Sequence, residues 1–347
     1  MTSLRTGLLL LPSRPVAEMA ALAARAEQLG YDDIWLADER FFREVYASLA
    51  VLAGRTSRVR LGPCVTDPYT RHPALTAMAI ATLDDISGGR AVLGLGAGVS
   101  GFAELGIDGR HSATAIRDGI ELIRRLLAGE TVTVKGEQIS CIDGRLDFTP
   151  PRSGVPIYVA SQRAAGCRVA GRLADGAIMQ GALAEPLVRF LLETVHGAAR
   201  AAGRDPAQVE LVARLNACIH EDRAVARNAM RPTIVRSLAA QRQDFFTFTM
   251  AGLRLPDALA EKLRALPYTH DPEPLRALAP AIPDEFVDAC TLTGPPRLVA
   301  GEVVRLARAG IAQVMIYPVA ADGASTDATV ERFQREVMPL VRQELAR

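Results

Sequence analysis

Four short stretches of the 347-residue chain hold the groups whose types and spacing could do chemistry. Asp38-Glu39-Arg40 sets two carboxylates beside a guanidinium, an arrangement suited to general acid or base work at one site. The plain alternative is a loop ion pair of these carboxylates with Arg40 or Arg43. Leu61-Gly62-Pro63-Cys64-Val65-Thr66-Asp67-Pro68-Tyr69-Thr70-Arg71-His72-Pro73 carries a cysteine, hydroxyls, a cation and a histidine. Cys64 has no partner at metal spacing and reads by pattern as a small buried residue. Gly96-Ala97-Gly98-Val99-Ser100-Gly101 fits G-x-G-x-x-G after an apolar run. However, the next helical pattern starts only near Ser112, whereas a dinucleotide fingerprint opens a helix at once. Glycines there let a flat ring or a loop approach the backbone closely. Finally, Ser161-Gln162-Arg163-Ala164 leads into a helix, and a helix N-terminus offers N–H groups to an anion. Catalysis by hydrolysis finds no nucleophile–base pair, HExxH or Walker loop to rest on.

The elements that must position these groups alternate regularly. Apolar runs at 6–11, 33–37, 58–65, 91–95, 155–160, 176–180, 209–219 and 312–317 read as strands. Helical patterns follow nearly all of them, at 16–29, 45–55, 73–86, 112–128, 162–173, 185–202, 222–239 and 326–345, with a further helix at 296–309. Eight buried strands with helices between them predict an α/β fold, a (β/α)8 TIM barrel in a single domain over 1–347. The chemical stretches then fall at the C-terminal ends of strands two, three, four and five, where such barrels keep their active sites. Two segments break the rhythm. Residues 131–150 carry turn signals that predict a hairpin, and 240–293, rich in proline and aromatics between strands seven and eight, predicts a lid or substrate wall.

Composition limits the partners. With 40 basic against 39 acidic residues, the net charge of +1 leaves no surplus to neutralise a phosphate backbone or an anionic membrane. The 49% apolar content is enough for a large core and excludes disorder. Five scattered cysteines and five histidines form no metal or disulfide pattern, so no metal site is expected. The apolar run Leu8–Leu11 is too short for a signal peptide or a span, so a cytoplasmic protein with a small-molecule substrate is expected.

The runs Asp33–Asp38 (DIWLAD), Leu61–Pro73, Ala81–Arg90 (ATLDDISGGR), Leu93–Gly98 (LGLGAG) and Ala115–Glu130, taken in that order, resemble the bacterial luciferase-like superfamily. Within it they are most similar to the deazaflavin-dependent branch of the methylenetetrahydromethanopterin reductases. The likeness covers residues 5–220 and the last helix–strand–helix, and leaves 240–293 unmatched. It implies a coenzyme F420-dependent oxidoreductase that moves a hydride to or from a small organic substrate with an activated C=N or C=C bond. FMN is the alternative cofactor, with monooxygenase chemistry, and a flavin-binding barrel without turnover is a third reading. The resemblance also implies a non-proline cis bond at Cys64–Val65 against the ring, with Asp38 and Thr66 at the ring's polar edge. Gly96, Ala97 and Gly98 would flank the cofactor, and Gln162, Arg163 and Ala164 would receive its phosphate. Glu39, with Arg71 or His72, would transfer a proton or polarise the substrate, giving Asp38, Glu39 and His72 as the catalytic set. A homodimer joined through helices of the second and third units is implied as well. The chain departs from the pterin reductases at Leu9, where they carry glutamate, and at Glu39, where they carry histidine. Val99 and Phe102 replace residues often polar in relatives, making the expected substrate side more apolar.

Overall fold

The computed structural model describes residues 4–98, 100–241, 244–321 and 323–347. The fold is the α/β barrel that the alternation predicts, with every strand of the main sheet parallel to the neighbours whose register is known. The chain divides into two compact units, one of Thr6–Ile178 and Leu191–Val212, the other of Met1–Arg5, Met179–Phe190 and Ala213–Arg347.

The first unit is built on β1 (Arg5–Leu10), β2 (Asp33–Leu36), β3 (Arg60–Pro63) and β4 (Leu93–Gly96). The antiparallel hairpin of β5 (Val132–Lys135) and β6 (Ser140–Gly144) follows, as the turn signals predict, and then β7 (Ile157–Ala160) and β8 (Gly176–Gln180). Register carries β1 to β2 (Leu10↔Leu36), β2 to β3 (Leu36↔Pro63) and β4 to β7 (Gly96↔Ala160), while bridges at Leu61↔Ala91 and Thr66↔Leu95 join β3 to β4. The C-terminal ends of β2, β3, β4 and β7 are therefore level and adjacent. The strands are short continuous apolar runs, and β2 and β4 are buried throughout, as a sheet covered on both faces requires.

Each end of these strands has its own buried polar network. At the N-terminal ends, the first residues of β2 and β3 meet when Arg60 Nε donates to Asp33 Oδ1 at 2.5 Å. The Asp33 carboxylate keeps the Arg60 guanidinium firmly charged despite its burial. Beside them Trp35 packs edge-on to Tyr158 at 5.6 Å between centroids. The Ala81–Arg90 motif proves to be scaffold. Fully buried Asp84 accepts from Ala91 N at 3.0 Å and takes both arms of Arg152 at 2.9 Å. Arg90 donates to the carbonyls of Ser87, Val59, Ala53 and Thr56, tying the entry of β4 to its neighbours.

The second unit contains β9 (Glu210–Ile219, from Ala213 on), β10 (Thr291–Gly294) and β11 (Gln313–Pro318). The short β10, absent from the sequence reading, pairs in parallel with the end of β9 from Thr291↔Asn216 to Gly294↔Ile219. Residues 246–288 fold into four short helices, at 246–250, 257–265, 272–278 and 284–288. They share a core with helix Arg223–Gln241, in which Phe248 and Phe286 meet at 5.0 Å among Met230, Ile234, Leu238 and Leu263. The predicted helix 326–345 is interrupted by a π turn at Phe333–Val337, just ahead of Pro339. A proline has no N–H for the carbonyl one turn back, and a wider turn accommodates the loss.

Candidate functional site

The loop after β2 is fastened to the loop after β3 by one side chain. Arg40 donates through one arm to the Asp38 carbonyl at 2.8 Å and the Asp38 carboxylate at 2.7 Å, and through the other to Asp67 and Thr70. Asp67 is fully buried and also accepts from Tyr69 N, Thr70 N and the Thr70 hydroxyl, each at 2.8 Å. Aspartate ahead of a Pro-Tyr-Thr turn bonds the backbone two and three residues on, which preorganises it to hold Arg40. The loop ion pair between Asp38 and Arg40 is thus present, and it extends to a carboxylate that the sequence reading did not single out.

Asp38 keeps only a tenth of its side-chain surface exposed. Burial raises its carboxyl above the ordinary aspartate value, with Arg40, the Thr66 hydroxyl and Arg71 pulling the other way and Asp67 adding to the rise. Behind it lie Thr66, fully buried, and Tyr46. Burial, then the charge of Asp38, pushes the Tyr46 phenol up. The Thr66 hydroxyl lies toward both the Asp38 carboxyl and the Tyr46 hydroxyl, lowering the pKa of each, and among the described residues Arg71 Nε has no hydrogen-bond partner. Arg71 lies over the Tyr46 ring at 4.9 Å and reaches Glu44 at 2.6 Å. Buried polar groups left without partners are costly, and native structures concentrate them at functional sites. Glu39, half-buried, follows Asp38 directly in the same loop.

The Cys64–Val65 peptide bond is cis, at the position the resemblance implies. Around it the backbone stays paired. Cys64 N donates to Leu36 O at 2.8 Å, Thr66 N to Gly94 O at 3.0 Å and Gly96 N to Thr66 O at 3.0 Å. Two glycines of β4 exist for this bulge: a Cβ on Gly94 would lie 2.5 Å from Pro63 O, and one on Gly96 would lie 2.5 Å from Val65 Cγ2. What approaches the β4 glycines is therefore the loop of β3. Beyond Gly96 and Ala97, Gly98 takes the left-handed conformation at φ 66° against Asp67, and Ser100 Oγ accepts from Arg40 N at 3.2 Å. Among the described residues no helix begins between Gly96 and Ser112, so the G-x-G-x-x-G match opens no helix, and its Gly98 and Ser100 pack against Asp67 and Arg40. Val99 lies outside the described residues. Phe102 meets Tyr69 edge-on at 5.7 Å, giving this end an aromatic contact.

One strand further, β7 runs into helix Ala164–Leu173. Arg163 is its N-cap residue, no side chain caps it, and Ser161 Oγ takes the N–H of Arg163 at 3.1 Å. The turn Gln162-Arg163-Ala164 accordingly stands where an anion could be received, next to Gly96 through the Gly96↔Ala160 register. Leu9, by contrast, is buried apolar strand. His72 stands apart in role. Its Nδ1 accepts from Ala74 N at 3.2 Å as the cap of helix Pro73–Ser87, and its Nε2 donates to Ser140 O at 3.0 Å in the hairpin. Both ring nitrogens are engaged with backbone, as the cap of this helix and as a tie to the hairpin.

The structure thus brings together Asp38, Glu39, Cys64, Val65, Thr66, Gly96, Ala97 and Gly98, and sets Gln162, Arg163 and Ala164 on the adjacent strand end. Sequence reasoning missed Arg40 as organiser, with Asp67, Thr70, Tyr46 and Ser100 around it. The Asp-Pro-Tyr-Thr turn was the available signal. Among the described residues no group of His, Cys, Asp and Glu could hold a metal ion, and no helix is long and apolar enough to cross a membrane. Burial raises the thiols of Cys167 and Cys218 to about 11 and that of Cys290 to about 12, which leaves them inert as nucleophiles.

Comparison with known proteins places these features in company. A family model described as luciferase-like monooxygenase matches residues 2–313. A 5,10-methylenetetrahydromethanopterin reductase of Archaeoglobus fulgidus is 30% identical over 338 residues, 97% of this chain and 99% of the relative. An F420-dependent glucose-6-phosphate dehydrogenase of Kineococcus radiotolerans is 28% identical over 94% of this chain and 93% of its own. The solved structure of the coenzyme F420-dependent tetrahydromethanopterin reductase from Methanopyrus kandleri superposes with a TM-score of 0.85 at 26% identity, covering 97% of this chain and 99% of that one.

Proposed function

The chain belongs to the bacterial luciferase-like family, and on that premise we propose that it is a coenzyme F420-dependent oxidoreductase acting on a small organic substrate. The observation that carries this reading is the nearly buried carboxyl of Asp38, raised by burial, with the buried hydroxyls of Thr66 and Tyr46 behind it and the cis Cys64–Val65 bond beside it. Such a surplus of buried polar groups suits the polar edge of a flat heterocycle, and the uncapped helix start one strand away suits its phosphate. The deazaflavin, when bound, supplies a two-electron carrier that gives or takes a hydride.

In this reading the protein positions and excludes water. Asp38 and Thr66 hold the ring edge, and the Cys64–Val65 bulge supports its face. Gly96, Ala97 and Gly98 flank it, while Gln162, Arg163 and Ala164 take the phosphate. Arg40 keeps Asp38 oriented by clamping both loops, and Glu39 holds the proton exchanged with the substrate. The relatives are named for a pterin reductase and a sugar-phosphate dehydrogenase, so the substrate depends on this chain's own Glu39, Leu9 and Phe102. An activated C=N or C=C bond fits an acidic proton donor beside a hydride carrier.

Fluorescence titration with coenzyme F420, and separately with FMN, tests the proposal. Micromolar binding of the deazaflavin, weakened about tenfold by Asp38→Ala and by Arg163→Ala, is the expected result, each variant losing a charge-assisted hydrogen bond. Tight binding of FMN in its place transfers the case to oxygen chemistry. Binding without turnover on any hydride acceptor makes the barrel a flavin carrier. A second copy of this chain is the proposed partner, through the apolar stripe on helices Val45–Ala53 and Pro73–Ser87.

A further inference from the structure

The turn that follows Asp38 carries an aromatic side chain where a chain seldom keeps one. Phe42 N donates to Glu39 O at 3.3 Å, closing a turn whose third residue is Phe41. Phe41 takes the left-handed conformation there, at φ 66°. Such a position suits glycine, because a side chain in it crowds its own backbone. Phe41 nevertheless holds its ring in water, 74% exposed, the most exposed of the large apolar side chains among the described residues. Within the subunit the ring gains neither a relaxed backbone nor a buried surface, and residues held in this way gather at ligand sites.

The surroundings of the ring belong to the site. Its neighbour Arg40 is clamped to Asp38, Asp67 and Thr70, and the loop after β4 comes across to meet it, Ser100 Oγ accepting from Arg40 N at 3.2 Å. Gly101 completes the crossing. It is left-handed at φ 69°, and a Cβ on it would lie 2.5 Å from Arg40 Cβ and 3.3 Å from Phe41 Cε2. Leu105, also exposed, stands one turn further on, its N–H on Gly101 O at 3.0 Å. The loops after β2 and β4 thus meet beside the end of β3, and each brings an exposed apolar side chain to the crossing. Cations of these loops are engaged with the protein itself: Arg43 donates to the Pro12 and Ser13 carbonyls, and Arg71 pairs with Glu44. With Asp38 and Glu39 at the same strand end, an anionic substrate would meet repulsion there. Resting on the coenzyme F420 reading above, we propose that Phe41 and Leu105 form an apolar lip on which the substrate lies, and that this substrate is an uncharged compound whose reducible bond belongs to, or adjoins, an aromatic or alicyclic ring.

The test uses the full chain saturated with oxidised coenzyme F420, so that no hydride passes. Equilibrium dialysis then compares menadione, a neutral bicyclic compound with a reducible C=C bond, with fumarate, an acyclic dianion. Saturable binding of menadione and none of fumarate is expected. Phe41→Ala should raise the menadione dissociation constant about tenfold, the worth of one aromatic contact, and Phe41→Trp should keep the native constant. Phe41→Gly separates recognition from folding: it should weaken menadione binding equally while holding or raising the thermal midpoint, since glycine takes the left-handed position without strain. Fluorescence titration of the coenzyme should give one dissociation constant for the native chain and all three variants. A native chain that binds no coenzyme would overturn the oxidoreductase reading and the lip with it. Normal coenzyme binding together with no menadione site, with fumarate bound in its place, with an unchanged constant in Phe41→Ala, or with a midpoint lowered by Phe41→Gly would overturn the lip alone.

Discussion

Arg40 bears the largest electrostatic responsibility of any side chain in the site, because Asp67 has no exposure at all. Replacing Arg40 by methionine leaves a buried carboxylate with its three hydrogen bonds from the Tyr69–Thr70 turn and no countercharge. Removing one partner of a buried pair costs about 3–5 kcal/mol, and the remaining bonds place this case toward the lower end. Urea unfolding of R40M should show that loss, and R40M/D67N should recover a large part of it, since the double variant buries no charge. Asp38 gives a pH-dependent counterpart. A carboxyl whose value is higher in the folded chain than in the unfolded one binds its proton more tightly when folded. Its stabilising contribution is therefore complete below the unfolded value and is lost as pH rises from the ordinary 3.8 through the raised folded value. Urea midpoints of the native chain relative to D38N should fall across that window, and a difference that rises with pH would assign the dominant influence to Arg40 instead of burial. The placement of Asp38 and Thr66 at adjacent strand ends was legible because the strand rhythm of a barrel announces where such ends fall. The capping contact of His72 was not, because a histidine before a proline reads the same in sequence whether or not its ring folds back onto the helix start.

The elements around the site are shaped by close approach as much as by hydrophobic periodicity. Gly94 and Gly96 could be read as a flexible ligand loop, yet each makes room for a particular atom of the β3 loop. G96A places a methyl group 2.5 Å from Val65 Cγ2, and overpacking of this kind costs about 1–3 kcal/mol. Val65→Ala removes the clashing methyl, so G96A/V65A should be more stable than the sum of the two single losses. A double-mutant cycle by chemical denaturation measures that coupling directly. Additive losses would mean that Gly96 is required for its backbone freedom alone. The strand and helix rhythm was readable to within a few residues because continuous apolar runs and three-to-four spacing are local signals. Strand β10 was not, since Thr291–Gly294 has too few apolar residues to stand out and acquires its pairing from β9. The π turn before Pro339 likewise follows from a single missing donor, which periodicity does not register.

At the scale of the whole molecule, the repeated strand–helix units made the barrel legible, while 240–293 stayed opaque because its short helices are defined by a shared core and not by their own amphipathicity. Helix Pro73–Ser87 exposes Leu75, Met78 and Ile86 at 51%, 46% and 50%, and their spacing puts them on one face. Val51, 47% exposed, adds to them from the neighbouring helix Val45–Ala53. Four large apolar side chains half in water on two adjacent helices are more than the isolated exposed residues a monomer tolerates. Burying them against a second copy yields roughly 25 cal/mol for each Å² withdrawn, doubled by symmetry because each copy presents the same stripe. Sedimentation velocity at micromolar concentration should therefore find a dimer. L75E/M78E should sediment as a monomer with unchanged circular dichroism, since both side chains already face solvent within the subunit and charging them costs the fold little. A native chain that sediments as a monomer would reject this surface as an interface, and a dimer that survives both charges would move the contact to another face.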